Sequence, residues 1–194
     1  MIKLSKEAKI LYRDKIAPLL AKNKVEECTD LLYEMNTNTS KEVLAGLCEM
    51  GYAFVGYKEV PGEALEYSKI TKVVIPEGVE EIGSDAFAHC ESLTHIEIPE
   101  GVKKIGYYAF YECKELTAVQ LPNSLYDIDS HAFDYCASLT SVYLPNSLRR
   151  ISKHAFDNCA KDITFYIPDG FSWKKVQVND PDELNWYEKH SKVK

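Results

Sequence analysis

The sequence predicts an α/β-type repeat solenoid of short strands with a helical N-terminal cap. Three observations predict it. Phe87, Phe110, Phe133 and Phe156 recur every 23 residues, each preceded by an alanine: Ala86, Ala109, Ala132 and Ala155. Pro76, Pro99, Pro122, Pro145 and Pro168 keep the same period, and so do Cys90, Cys113, Cys136 and Cys159. Self-similarity at a fixed period marks a stack of equal supersecondary units, none of which can bury its own apolar face alone.

One unit runs from Leu93 to Glu115. Leu93, Ile96 and Ile98 mix spacings of three and two, which suits a short strand entered from a turn. Pro99 cannot donate to a strand ladder and ends it; Glu100-Gly101 is turn chemistry. Val102 and Ile105 form a second inward-facing pair. Ala109, Phe110 and Cys113 follow in a tight, 3₁₀-like turn that fills the core. Equivalent residues of stacked strands then lie roughly 4.7–4.9 Å apart. Cysteines locked to the repeat read as small buried apolar residues, so all six thiols are expected free, in a reducing compartment.

These residues resemble the BspA-like, or treponemal-type, leucine-rich repeat family, whose units read L-x-x-I-x-I-P-x-x-V-x-x-I-G-x-x-A-F-x-x-C. The match covers about residues 60–171. The resemblance implies a right-handed, curved leucine-rich repeat solenoid with a strand ladder on its concave side, and a binding scaffold without one shared ligand. The family glycine stands at Gly83 and Gly106 but gives way to Asp129 and Ser152. Serine adopts positive φ poorly, so that position is not expected to need it. Val60 to Ile70 reads as a degenerate first unit.

The chain divides into 1–58, a helical N-terminal cap or small helical module; 59–171, the solenoid; and 172–194, a C-terminal cap and tail. Ile10, Leu11, Ile16, Leu19 and Leu20 offer one apolar face, interrupted near Pro18. Val25, Cys28, Leu31, Leu32 and Met35 offer another at helical spacing. Thr39 with Glu42 fits a capping box opening a helix through Val43, Leu44, Leu47 and Cys48, with Gly51 past its end. Trp173, Val176 and Val178 are weakly strand-like, and Pro181 to Trp186 opens a short helix. Trp173 or Trp186 is expected to pack on the last coil, and Lys192 to Lys194 to fray.

Apolar residues make up 45% of the 194 and charged ones 27%, enough for a real core. A net charge of −7 speaks against a nucleic-acid binder. The charged N-terminus lacks a signal-peptide core, and no run of roughly 18 apolar residues offers a membrane span. The expected location is the cytoplasm, in a bacterium or a phage-encoded setting. The expected partner is a protein, with no nucleic acid and no membrane; homo-oligomerisation through exposed edges or helices is a further option.

The outward columns of the ladder are the candidate binding face. One holds Lys72, His95, Ala118, Ser141 and Thr164; the other holds Val74, Glu97, Gln120, Tyr143 and Tyr166. The partner-binding candidates are Lys72, His95, Glu97, Gln120, Tyr143 and Tyr166, since tyrosine is enriched at binding hot spots. The competing reading is cross-strand stacking that only stabilises the ladder. On the turn side, Glu80-Glu81, Lys103-Lys104, Tyr126-Asp127 and Arg149-Arg150 alternate in charge. That pattern favours correct register between coils, with a charge-steered docking face as the alternative. Tyr107, Tyr108, Tyr111, Tyr126 and Tyr135 either form an exposed aromatic patch or fold back on the core.

No catalytic residue, cofactor or metal site is expected. His131 and His154 share a repeat position, with Tyr108 and Asp85 in the same column, but two histidines fall short of the four ligands of a structural zinc site. His89 adjoins Cys90, yet neighbouring side chains on such a segment diverge, and the buried cysteine makes a poor nucleophile. No glycine-rich phosphate loop or nucleophile elbow occurs. The functional expectation is a non-catalytic module that binds, and by binding inhibits, a protein partner. A surface adhesin, exported by a signal outside this chain, is the alternative.

Overall fold

Each coil contributes two strands on different sides, and both sets stack in parallel. The computed structural model describes residues 4–22, 24–35 and 37–194. One side carries β1 (Glu59–Val60), β3 (Glu81–Ile82), β5 (Lys104–Ile105), β7 (Asp127–Ile128), β9 (Arg150–Ile151) and β11 (Gln177–Val178), a six-stranded parallel sheet in that order. The other side carries β2 (Lys72–Val74) paired with β4 (His95–Glu97). It continues as β6 (Ala118–Gln120), β8 (Ser141–Tyr143), β10 (Thr164–Ile167) and β12 (Ser191–Val193). The result is a parallel β-solenoid with a helical N-terminal region. The first coil, from Val60, is built as a full member of the stack, since β1 pairs with β3.

The period of 23 follows from what must touch. Phe87, Phe110, Phe133 and Phe156 stack face to face with centroids 5.3, 5.1 and 5.2 Å apart. Val73, Ile96, Val119, Val142 and Phe165 point inward from one ladder, and Val60, Ile82, Ile105, Ile128 and Ile151 from the other. Cys113, Cys136 and Cys159 each donate a thiol hydrogen bond to a phenylalanine carbonyl one coil back, at 3.2–3.3 Å. Cys90 makes the same bond to the Leu65 carbonyl at 3.2 Å.

Two expectations about the coil are corrected. The segment after the second strand is not a 3₁₀ turn. It holds two left-handed residues per coil: Asp85, Tyr108, His131 and His154 in one column, and His89, Glu112, Tyr135 and Asn158 in the other. Each such residue is strained by the contact of Cβ with the following carbonyl. The strain is offset because the backbone keeps bonding to the next coil, as Phe110 N–H to Ala132 O at 2.8 Å and Phe133 N–H to Ala155 O at 2.8 Å. The second correction concerns the ladder, which is not continuous. Between β4 and β6 the pairing lapses, leaving a two-stranded and a four-stranded piece.

The repeat glycine serves close approach rather than positive φ. A Cβ on Gly106 would lie 2.9 Å from Gly83 C and Ile82 O, and one on Gly83 would lie 2.6 Å from Val60 O. Gly101, in the turn after Pro99, does need its left-handed backbone, with φ of 105°.

The helical region runs α1 (Lys6–Leu11), a π-helical turn (Tyr12–Ile16), α2 (Ala17–Leu20), α3 (Val25–Met35) and α4 (Asn38–Glu49). Pro18 lies just after the π turn, where a missing N–H is absorbed by widened backbone rather than by a break. That turn rotates Ile10 off the buried face, leaving it 44% exposed, while Ile16 is fully buried. Met35, at the end of α3, is also exposed. The capping box of α4 is Thr37 with Ser40, not Thr39 with Glu42. Glu42 instead accepts from Ser5 Oγ at 2.7 Å and so ties α1 to α4. Gly51 ends α4 in the left-handed region as expected. α4 packs on β2, Glu49 accepts from Thr71 Oγ1 at 2.9 Å, and Tyr57 hydrogen-bonds Asp30 on α3. The helices thus lie on the first coil and share one apolar core with it.

At the other end a 3₁₀ turn (Trp173–Lys175), β11 and α5 (Pro181–Lys189) close the stack. Tyr187 is buried, stacked on Trp173 at 5.3 Å and edge-on to Phe165 at 5.2 Å. Lys192 to Lys194 do not fray. β12 pairs with β10 in parallel, and Lys194 N–H donates to Ile167 O at 3.0 Å.

The alternating charges of the second sheet meet across coils. Lys103 and Lys58 both reach Glu80, at 2.5 and 2.9 Å; Lys104 reaches Glu81 at 2.6 Å; Arg150 grips buried Asp127 with two bonds of 2.7 and 2.5 Å. Hydrogen bonds from Lys103 first, then Lys58, hold the Glu80 carboxyl down to about 2. A depressed carboxyl stabilises the fold above its unfolded value and loses that contribution as pH falls through the folded one. The urea-midpoint difference between wild type and Glu80→Gln is therefore expected to be constant above about pH 5 and to shrink toward pH 2. The difference stays small throughout, because these are solvent-screened surface pairs.

Candidate partner-binding face

The outward positions of β2 to β10 form two chemically distinct groups. On the two-stranded piece, Lys72 pairs with His95 and Val74 with Glu97 in register. Lys72 Nζ lies 2.7 Å from Glu97 Oε1, and His95 Nε2 lies 3.5 Å from the same oxygen. The Lys72 ammonium holds the Glu97 carboxyl below the usual carboxylate range. These three exposed side chains satisfy one another.

On the four-stranded piece, Gln120, Tyr143 and Tyr166 occupy successive rungs of one column. The two tyrosine rings stack 4.7 Å apart at 14° and are half-buried. The column has a further rung, Lys192 on β12 beside Tyr166. Lys194 Nζ stands 4.7 Å from the centroid of Tyr143. The structure thus brings Gln120, Tyr143 and Tyr166 together and sets Lys72, His95 and Glu97 apart, across the lapse between β4 and β6. Lys192 and Lys194 escaped the sequence reading. The only signal for them was the alternation Ser191-Lys192-Val193-Lys194, too short to separate from a tail.

A second aromatic strip, Tyr107, Tyr108, Tyr111 and Tyr135, runs along the turn edge. Tyr107 and Tyr135 are exposed at 42 and 45% and Tyr108 and Tyr111 are half-buried, while Tyr126, exposed at 47%, stands before β7 in the column of Lys103 and Arg149. Tyr108 contacts Tyr107, Tyr111 and His131, with centroids 4.1, 4.7 and 4.9 Å away. Tyr67 lies flat on His89 at 4.3 Å. Burial pushes the Cys90 thiol up to about 11 and the Cys159 thiol up to about 12.

Stacked equal coils, a continuous apolar interior, a helical region at one end and an aromatic cap at the other define a repeat scaffold of the leucine-rich type. The BspA type Leucine rich repeat region matches residues 58–177 in six copies, and the chain belongs to that family. A crystallised leucine-rich repeat protein from T. pallidum is 34% identical over 58% of this chain and 52% of its own, with a TM-score of 0.54. The pneumococcal vaccine antigen PcpA shares the fold, at 20% identity and a TM-score of 0.55 over 71% of this chain and 38% of its own. The chain spans about half of the treponemal protein and less of the pneumococcal one. No curated protein matches. Among the described residues, no helix is long and apolar enough to cross a membrane.

Proposed function

We propose that the protein is a non-catalytic interaction module. It binds a protein partner through the face of Gln120, Tyr143 and Tyr166, and blocks the partner surface it covers. The observation that carries this is the stacked tyrosine pair with an ammonium over one ring. Tyrosine supplies large contact area with few rotatable bonds, and here the rings are already fixed by stacking and strand register, so little entropy is lost on binding. The family supports the broader reading of an interaction or adhesin-like scaffold. The buried, proton-retaining thiols support binding over nucleophilic chemistry.

We place the helical region, residues 1–58, as a cap on the first coil, since α4 packs on β2. We place the protein on the reducing side of the membrane, in the cytoplasm. The repeat thiols act as hydrogen-bond donors to carbonyls, a role they keep only when reduced. An adhesin-like role would keep the same face and move the partner outside the cell.

The test is partner recovery from native lysate by wild type, by Tyr143→Ala with Tyr166→Ala, and by Tyr107→Ala. The double variant is expected to lose at least about tenfold in recovery, given more than about 1 kcal/mol per hot-spot tyrosine. Tyr107→Ala is expected to match wild type. Loss in Tyr107→Ala with retention in the double variant would move the site to the turn edge.

A further inference from the structure

The last coil and the C-terminal cap bring three potential metal ligands to one point. His154 Nδ1 lies 2.6 Å from Asp157 Oδ2 and 3.6 Å from Glu183 Oε1, and the donor atoms of the three residues all lie within 4.8 Å of one another. Each is held by backbone. His154 sits in the left-handed region at φ of 62°, and Asp157 N–H closes the turn on His154 O at 3.3 Å. Glu183 stands in the first turn of α5, where its Oε1 also accepts from His154 N–H at 3.2 Å. One coil earlier, His131 makes the same turn with Asp134 at 2.8 Å, but there the other carboxylate oxygen accepts from Asn158 Nδ2 at 2.9 Å. Only at the last coil does α5 add a second carboxylate.

A separate observation points to something missing from this cluster. Glu183 Oε2 is buried and has no hydrogen-bond partner among the described residues. Leaving a carboxylate oxygen buried and unsatisfied costs on the order of the desolvation of that group. The site also brings two carboxyl groups, Asp157 and Glu183, together. A cation held by both Glu183 oxygens would satisfy the orphaned Oε2 and neutralise the pair.

We propose that His154, Asp157 and Glu183 bind a divalent transition-metal ion, with Zn²⁺ the best fit, and that the ion fastens α5 to the solenoid. The mixed nitrogen and oxygen donors suit zinc, whereas magnesium and calcium prefer all-oxygen shells. Tetrahedral zinc, with bonds of about 2.0–2.1 Å, places ligand atoms roughly 3.3 Å apart. The observed 2.6 and 3.6 Å bracket that value, and all three donor atoms lie within 4.8 Å of one another. Three protein ligands leave a fourth position for water. A cleft of about 510 Å³ that Asp157, Asp182, Glu183 and Trp186 help to line gives the ion its way in.

The experiment is calorimetric titration of the full, tag-free chain with Zn²⁺ near neutral pH, repeated with His154→Ala, the near-isosteric Glu183→Gln, and His131→Ala. Expected is one ion per chain, weakened at least about tenfold in His154→Ala and Glu183→Gln and unchanged in His131→Ala. A hundredfold excess over Kd raises Tm by roughly 5–10 °C for wild type. Co²⁺-loaded protein should show no thiolate charge-transfer band, since Cys159 near the cleft donates inward to Phe133 O. Circular dichroism in chelator confirms that each variant is folded before titration. Absence of stoichiometric binding, binding undiminished in Glu183→Gln, or a thiolate band overturns the proposal.

Discussion

Replacing Phe133 by alanine lowers the free energy of unfolding by about 3–5 kcal/mol, read from the urea midpoint at constant slope. The ring is fully buried, between Phe110 at 5.1 Å and Phe156 at 5.2 Å, nearly parallel to both. Truncation removes contacts to two coils at once, and in a solenoid most stability lies in those neighbour terms. Phe87 has one stacked phenylalanine partner, Phe110, so Phe87→Ala is expected to cost less than Phe133→Ala. A typical domain has only about 5–15 kcal/mol in total, so the central variant should be close to unfolding at 37 °C. A loss below about 1 kcal/mol would mean that the aligned rings fill space without holding coils together.

The stack was legible in the sequence for that same reason. Side chains that must touch their own counterparts in the next coil are forced to repeat, and four columns at one period leave little freedom. The second sheet was not legible. Its strands are two residues long, and their outward positions, Glu81, Lys104, Asp127 and Arg150, read as alternating charge rather than as a ladder. The left-handed columns were hidden because residues such as Tyr108, His131 and Glu112 occupy them in place of glycine. Only the hydrogen bonds to the next coil explain how that backbone is held. The capping box moved two residues because Thr37-Ser40 and Thr39-Glu42 are both adequate local signals. The choice fell to a contact 37 residues away, that of Glu42 with Ser5.

The candidate face was legible in part. Column arithmetic put Tyr143 beside Tyr166, and the register places them so. It could not foresee that the pairing lapses after Glu97, nor that the chain returns as β12 to put Lys192 and Lys194 on the same face. The His154–Glu183 contact was out of reach for a related reason. It depends on the direction in which α5 folds back over the last coil, which no local pattern fixes.

Removing residues 181–194 tests that return of the chain and is expected to have the second large effect. Two consequences separate. Loss of Tyr187 uncovers Trp173, Phe165 and Phe156, which by analogy with large-to-small core changes costs at least about 3 kcal/mol. Loss of β12 leaves the outer edge of β10 unpaired, where Phe165 N–H now donates to His190 O at 2.8 Å. An open parallel edge beside exposed aromatic rings templates association with another chain. Tyr187→Ala keeps β12 and should therefore show the stability loss while sedimenting as wild type does. The truncated chain should show both the stability loss and concentration-dependent self-association. If the truncated chain sediments and unfolds like wild type, the segment is a passenger, and the last coil must be closed by its own residues alone.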